Sequence, residues 1–343
     1  MEINRESVFA SALRSLCRSI ATILGIAIGV GFVVLGLGIV VGTDMTPPKA
    51  DPMLMPDASG NRDLLPGNTP VILRLDFDGE IGIGHLTGSK IENLLLDSRE
   101  GMFKGDRVKA ILLHLNTPGG SASDSDTIYR ALKAYKQKYN IPIYAYVDGL
   151  CASGGMYIAS SADKIYSSHS SVIGSIGVLL GPNFNFADTM TKFGIKALTL
   201  TEGLDKDELN PFRAWKPDEG ATLKNIMDTL YDQFVSIVVE ARPKITKDQL
   251  VSTYGARVFI AKEAAQIGYV DAWNSNYYET VRDLSTAAQI KEDEAYQVIQ
   301  LSPPRAFFNG IAQTMTPVKI LNSFIGKKDL SELSGKFLYY YQP

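Results

Sequence analysis

A chain of 343 residues, 45% hydrophobic, 21% charged and 9% aromatic, has the composition of an ordinary globular protein of one to three domains, with a slight apolar excess. That composition excludes a disordered charged tail, a collagen and a disulfide scaffold, and a net charge of −3 leaves no electrostatic footprint for nucleic acid. Two cysteines (Cys17 and Cys151) and three histidines (His85, His114 and His169) are too few for a zinc cage or a His-rich metal site.

The apolar excess is concentrated in residues 19–42, SIATILGIAIGVGFVVLGLGIVVG, which carry no charge. As a helix this stretch would run about 36 Å, enough to cross a hydrocarbon core about 30 Å thick. It is longer than a typical signal-peptide core and no clear A-x-A site follows, so an anchor is favoured over a cleaved signal or a buried helix. Arg5, Arg14 and Arg18 precede the span and the nearest cation after it is Lys49. This asymmetry predicts a cytoplasmic N-terminus, residues 1–18, and an extracytoplasmic remainder. Gly25-x-x-x-Gly29 and Gly38-x-x-x-Gly42 fit helix–helix packing or a plain lipid-facing helix equally well. Residues 43–70 hold six of the sixteen prolines and show no hydrophobic period, which predicts an extended tether.

From Val71 the pattern becomes α/β. VILRLDFDG (71–79) alternates as a strand does, and VKAILLHLN (108–116) is a nearly continuous apolar run suited to a strand covered on both faces. Residues 123–138 place Ile128, Ala131, Leu132 and Tyr135 on one helical stripe. A strand at 141–149, a short helix in ASGGMYIASSA, strand-like pieces in KIYSS and SVIGSIGVLL, and a helix in FNFADTMTKFG with Gly194 as its C-cap follow. A strand in IKALTL (195–200) and a long helix over 218–241 complete the series. Such alternation implies parallel β-α-β units in a domain spanning 71–302, with 303–343 as a C-terminal extension.

Ligands of α/β sheets gather at the carboxyl ends of strands, and two Gly-rich turns lie there. Thr117-Pro118-Gly119-Gly120 follows the strand at 108–116, and Cys151-Ala152-Ser153-Gly154-Gly155 follows the one at 141–149. Ser153 on such a turn, beside free amide donors, suits an acyl-transfer nucleophile; a helix-capping serine with glycines for packing has the same sequence. Neither turn matches G-x-G-x-x-G, a P-loop or a G-x-S-x-G elbow, and no cofactor is implied. Ser161-x-x-Lys164 has the spacing of a penicillin-binding motif, but no K-T-G box follows it. Cys151 reads as a small buried apolar residue and His169, in SSHSS, as a solvated loop histidine. Lys206, in GLDKDELNPF, sits among acids that favour its ammonium form, so composition alone does not single it out.

At these residues the chain resembles the signal peptide peptidase A (SppA) family of membrane-bound Ser–Lys peptidases, in its short single-repeat form. The resemblance covers roughly 71–275 and rests on NTPGGSASDS (116–125), GLCASGGMYIASSADKIY (149–166), SVIGSIGV (171–178) and TEGLDKDELNPFR (201–213), with a weaker block at 255–271. It implies a ClpP/crotonase-type β-α-β spiral behind an N-terminal transmembrane helix. It also implies Ser153 as nucleophile, Lys206 as general base, Ser175 as the hydroxyl that orients the lysine, and Gly120 and Gly154 as oxyanion donors. Asn116, Met156 and Glu202 depart from residues common in the family and bear on pocket shape rather than on the reaction. The implied substrates are hydrophobic peptides, chiefly remnant signal peptides. The implied assembly is a homo-oligomer, octameric in single-repeat forms, in the bacterial inner membrane with its catalytic domain periplasmic. An inactive membrane scaffold of the same fold and a crotonase-like acyl-CoA enzyme are the alternatives. The closing KFLYYY fits a packing or interface strand, or a product-like peptide in the substrate groove.

Overall fold

A computed structural model describes residues 13–26, 28–29, 50–303 and 336–341. Residues 1–48 form one unit and 49–343 another. In the first, 13–26 are helical. The expected anchor at 19–42 lies mostly outside the described residues, and among those described no helix is long and apolar enough to cross a membrane.

The second unit is a mixed α/β domain built on one eight-stranded sheet. The strands are β1 (Asp51–Met55), β2 (Val71–Asp78), β3 (Val108–Thr117), β5 (Ile143–Ala152), β6 (Lys164–Ser167), β7 (Val172–Gly174), β8 (Val258–Ile260) and β9 (Gln297–Ser302). Their order is β1-β9-β2-β3-β5-β7-β8, with β6 paired on β5. The inner pairs are parallel, and only the edges, β1 on β9 and β8 on β7, run antiparallel. Two further strands, β4 (Gly119–Ser121) and β10 (Leu338–Tyr340), pair antiparallel with each other outside this sheet.

The helices are α1 (Gly88–Asp97), α2 (Ala122–Tyr139), α3 (Gly154–Ala159), α4 (Ala187–Lys192), α5 (Ala221–Ala241), α6 (Ala261–Ile267) and α7 (Tyr277–Ala287). They explain the continuous apolar run of β3. Ile111, Leu113 and Leu115 pack on one side of the sheet with Leu94 of α1, Ile128 and Leu132 of α2 and Phe234 of α5. Ala110 and Leu112 pack on the other with Val281 and Leu284 of α7. Both faces are dry, so the period-two alternation of a half-exposed strand disappears.

Several sequence expectations meet a different local structure. The strand expected at 141–149 extends to Ala152, because β7 pairs with its last three residues, 150–152. Within the expected tether, Asp51–Met55 form β1, held by β9 over five register pairs; an edge strand supplied by a distant segment leaves no local period to read. The strand expected at 195–200 is absent: Leu198 and Leu200 are 84% and 85% exposed with no strand alongside. The helix around Gly194 shortens to Ala187–Lys192, and Gly194 follows with φ 67°.

Candidate active site

The site grows from the carboxyl ends of β3, β5 and β7. Ala152 pairs with Gly174 in the last rung between β5 and β7, and the next residue on each strand is a serine. The Ser153 N–H donates to the Gly174 carbonyl at 2.8 Å, and the Ser175 N–H to the Arg257 carbonyl at 2.8 Å. Ser153 adopts φ 53°, ψ −113°, backbone that a residue with a Cβ avoids. A helix-capping role would explain the serine without chemistry, but the Ser153 hydroxyl makes no cap bond to α3. Strain at a buried serine that does not cap is a feature of functional sites.

The P-G-G turn supplies the opposite wall. The Thr117 hydroxyl donates to the Gly79 carbonyl at 2.6 Å and accepts the Gly119 N–H at 3.1 Å, so the Gly119 donor is spent within the turn. Gly120 is the next donor along the turn. At Gly119 (φ 93°) a Cβ would come within 2.7 Å of the Gly154 nitrogen and 3.0 Å of the Ala152 carbonyl. The two Gly-rich turns are therefore in contact, and only glycine permits it.

Across this junction lies β10. Ala122 N–H donates to the Phe337 carbonyl at 3.0 Å, and Tyr341 N–H to the Pro118 carbonyl at 2.8 Å. Hydrogen-bonded pairs recur every second residue in an antiparallel ladder, which makes Gly120 and Tyr339 the bonded pair between them. On its other edge Leu338 exchanges bonds with Leu179 at 2.9 and 3.0 Å. The Tyr339 ring is 1% exposed, stacked on Tyr157 at 5.0 Å and set against Phe234 at 4.7 Å, and its hydroxyl donates to the Leu230 carbonyl at 3.0 Å. Gln233 Nε2 and the Tyr157 hydroxyl both donate to Asp126, at 2.8 and 2.7 Å, which fixes the Tyr157 ring. Burial pushes the phenols of Tyr157 and Tyr339 up, so both stay protonated donors.

Of the five residues expected at the site, Ser153, Ser175, Gly120 and Gly154 converge and Lys206 does not. Lys206 is exposed on an arm, residues 179–220, that includes α4 and leaves Phe193, Leu200 and Leu204 in solvent, the last 93% exposed. The acids that flank it are engaged elsewhere. Arg213 pairs with Asp207 and Glu219 at 2.7 Å each, and Lys216 with Asp205 at 2.9 Å. The Arg213 guanidinium holds Asp207 below the usual carboxylate range and brings Glu219 down to about 2. Cys151 is fully buried, and burial pushes its thiol up, which removes it as a thiolate nucleophile. His169 is exposed against Trp273, as a loop histidine is expected to be.

Three sets of interactions escaped the sequence reading. Thr117 carries a visible signal, a hydroxyl directly before a P-G-G turn. Phe234 with Tyr157, and Arg213 with Asp207, are pairings across the fold or loop that no spacing announces.

Residues 135–291 match the model of peptidase family S49, and residues 91–173 that of Clp protease. An Enterococcus faecium protein named for signal peptide peptidase SppA is 31% identical over 164 residues, 48% of this chain and 47% of that one. A Synechocystis protein named as a protease is 33% identical over 162 residues, covering 47% of this chain and 57% of its own. Protease 4 of Haemophilus influenzae is 29% identical over 226 residues, 64% of this chain and 34% of that protein. The chain thus spans about half the length, or less, of these curated relatives.

Proposed function

We infer that this chain, which belongs to the SppA family of S49 peptidases, is a membrane-anchored serine endopeptidase that cleaves hydrophobic peptides with Ser153 and Lys206. The observation that carries the reading is the Ser153 turn: a buried, non-capping serine at φ 53°, with the Gly154 and Gly120 amides on either side. A peptide laid along β4 offers its carbonyl to those amides, where negative charge develops during acyl transfer.

In the proposed reaction the neutral Lys206 amine removes the Ser153 proton as the Ser153 Oγ attacks the carbonyl carbon. Gly120 and Gly154 N–H groups hold the oxyanion. The Lys206 ammonium returns its proton to the departing amine, and water then cleaves the Ser153 ester to restore the enzyme. Ser175 accepts or donates a hydrogen bond that fixes the lysine. Lys206 reaches this position when its apolar arm is covered by another copy of the chain, which is why the reading includes a homo-oligomer, an octameric ring in the single-repeat form. Burial of Phe193, Leu200 and Leu204 would drive that association, since exposed apolar area of this kind marks an interface.

The uncharged span 19–42 supplies the anchor, with 1–18 cytoplasmic and the catalytic domain on the periplasmic side. The substrates in this setting are signal-peptide remnants left in the bilayer. The deciding experiment treats the detergent-solubilised full chain with a serine-acylating probe and maps the label by mass spectrometry. Label on Ser153 that vanishes in Lys206→Ala is expected; label that survives the lysine substitution refutes the dyad.

A further inference from the structure

We propose that Asn116 and Ser171 are positioning residues for the nucleophile: they staple a bulge in β5 that turns the strand from β6 onto β7 and so sets Ser153 beside Ser175 and the P-G-G turn. This rests on the peptidase reading above, and its test separates the failure of one from the failure of the other.

Register shows the bulge. β3 and β5 pair residue for residue up to Leu115 and Val147, and the next rung joins Thr117 to Cys151. The single residue Asn116 therefore faces three, Asp148, Gly149 and Leu150, two more than a regular ladder holds. β5 makes its last rung with β6 at Val147 and its first with β7 at Leu150. The bulge fills the changeover between those neighbours, and bulges beside active sites re-aim the residues that follow them. A regular register would carry Ser153 two residues further along, about 6–7 Å, and break the contact between Gly119 and Gly154.

Side chains hold the bulge where ladder bonds do not. The Leu150 N–H donates to Asn116 Oδ1 at 3.2 Å, and the Gly149 N–H to the Ser171 hydroxyl at 3.3 Å. Each staple is itself held. Asn116 Nδ2 donates to Asp78 Oδ1 at 3.0 Å. The fully buried Ser171 hydroxyl donates to the Val147 carbonyl at 2.9 Å and pairs with the Ser168 hydroxyl at 2.8 Å. Gly149 has φ 118°, and a Cβ there would stand 2.7 Å from Asn116 Oδ1, so the amide closes over the bulge only because residue 149 is glycine. Asn116 grips from β3 and Ser171 from the turn into β7, the strands whose ends carry the P-G-G turn and Ser175. Neither residue belongs to β4, along which the peptide lies, so losing a staple falls on kcat. Asn116 thus acts on the position of the nucleophile, where the sequence alone pointed to pocket shape.

The test uses the detergent-solubilised full chain, a labelled hydrophobic peptide and a fluorophosphonate probe of the nucleophilic serine. Asn116→Ala and Ser171→Ala should each lower kcat by about 10- to 100-fold, the cost of a nucleophile displaced by up to an ångström, with KM held within about twofold. The rate at which the probe labels Ser153 should fall in step. Asn116→Asp keeps an acceptor for Leu150 but sets a carboxylate against Asp78, and should lose kcat likewise. Adding Asp78→Asn returns a donor to that carboxylate and should bring kcat back to within about threefold of the wild-type chain, a coupling that general loss of stability would not show. Asn116 is exposed, so its variants fold even where Ser171→Ala does not. A wild-type chain that cleaves no peptide and takes no probe sinks the peptidase reading. In that chain, faster amide hydrogen exchange over 148–155 in Asn116→Ala, with the wild-type rate in the paired Asn116→Asp, Asp78→Asn variant, upholds the staple. Wild-type kcat in Asn116→Ala, a loss confined to KM, no rescue by the paired substitution, or unchanged exchange over 148–155 overturns the proposal.

Discussion

Ser153 and Ser175 leave two adjoining parallel strands at the same register position, one residue beyond the Ala152–Gly174 rung, and both have positive φ, 53° and 56°. Neither is glycine, and two such serines side by side cost more than a turn requires. Each is buried. The pair separates two roles that a single-site substitution would blur. Ser153→Ala should reduce peptide turnover to background. Ser175→Ala, whose N–H to Arg257 remains, should keep the fold and lower kcat by about 10², within the range of a lost acid–base contribution. Ser153→Gly should be inactive yet more stable than Ser153→Ala by about 1 kcal/mol in urea denaturation, because glycine takes φ 53° without a Cβ penalty. Equal stability of the two would mean that the turn stores no strain.

Gly120 carries the second test of the groove. Its φ is 157°, and a Cβ there would stand 2.0 Å from the Ile81 carbonyl, so Gly120→Ala must displace β4 from its neighbour. The Gly120 N–H then leaves its place opposite the bound carbonyl. Loss of one oxyanion donor costs about 10²–10³ in kcat, and single-turnover kinetics on a peptide substrate should show a fall of that size with modest change in KM. A fall in KM terms alone would place Gly120 in binding and remove it from transition-state stabilisation.

Arg213 ties together the arm that carries Lys206. It pairs with Asp207, the residue after Lys206, and with Glu219. Arg213→Gln removes both ion pairs, and kcat/KM should fall as the loop around Lys206 loosens. Arg213→Lys, which keeps one charge but loses the fork, should lie between the wild-type chain and Arg213→Gln. Unchanged turnover in Arg213→Gln would remove these ion pairs from catalysis.

How far the sequence could be read depends on how local each cause was. The strands at 71–78 and 108–117 and the helices at 122–139 and 221–241 are legible because burial leaves its mark within ten residues, as a continuous apolar run around Leu113 and as a helical stripe through Ile128. β1 was not, since its partner β9 comes some 240 residues later, and IKALTL looked like a strand but lacks a neighbour to make it one. In the candidate site, the two Gly-rich turns could be picked out as strand-end features. That they touch through Gly119 could not, because the contact joins residues 35 positions apart. Lys206 read as a solvated residue among acids, and so it stands here; the pairing of those acids by Arg213 and Lys216 needs the folded loop.

Two histidines predict the response of the fold to acid. Burial and the Arg74 guanidinium depress His114, outweighing Asp76, Asp148 and Asp78; burial and Lys90 depress His85. Both remain neutral in the folded chain at a pH where the unfolded chain, with an ordinary histidine value near 6.5, takes up protons. The unfolded state then binds more protons than the native one, so stability falls as pH drops below about 6.5 and levels off once the folded histidines protonate. Urea midpoints between pH 7.5 and 5 should decline, and His114→Gln should flatten part of that slope. A slope unchanged in His114→Gln would assign the loss to other groups.

Tyr269 offers the converse case, a polar group whose removal should help. The ring is fully buried against Phe259 at 5.8 Å and Tyr254 at 6.2 Å, and its hydroxyl has no hydrogen-bond partner among the described residues. Burial pushes the phenol up, outweighing the nearby Arg257 guanidinium, so it stays neutral. A buried hydroxyl stripped of water without a replacement bond costs about 1–3 kcal/mol, and phenylalanine keeps the ring while removing that cost. Tyr269→Phe should therefore raise the unfolding free energy by about 1 kcal/mol with an unchanged m-value, since the same surface is buried. Peptide turnover should be unaffected, because Tyr269 lies outside the groove formed by β4, β10 and Ser153. Destabilisation instead would show that the hydroxyl is satisfied in solution, by an internal water or by another copy of the chain.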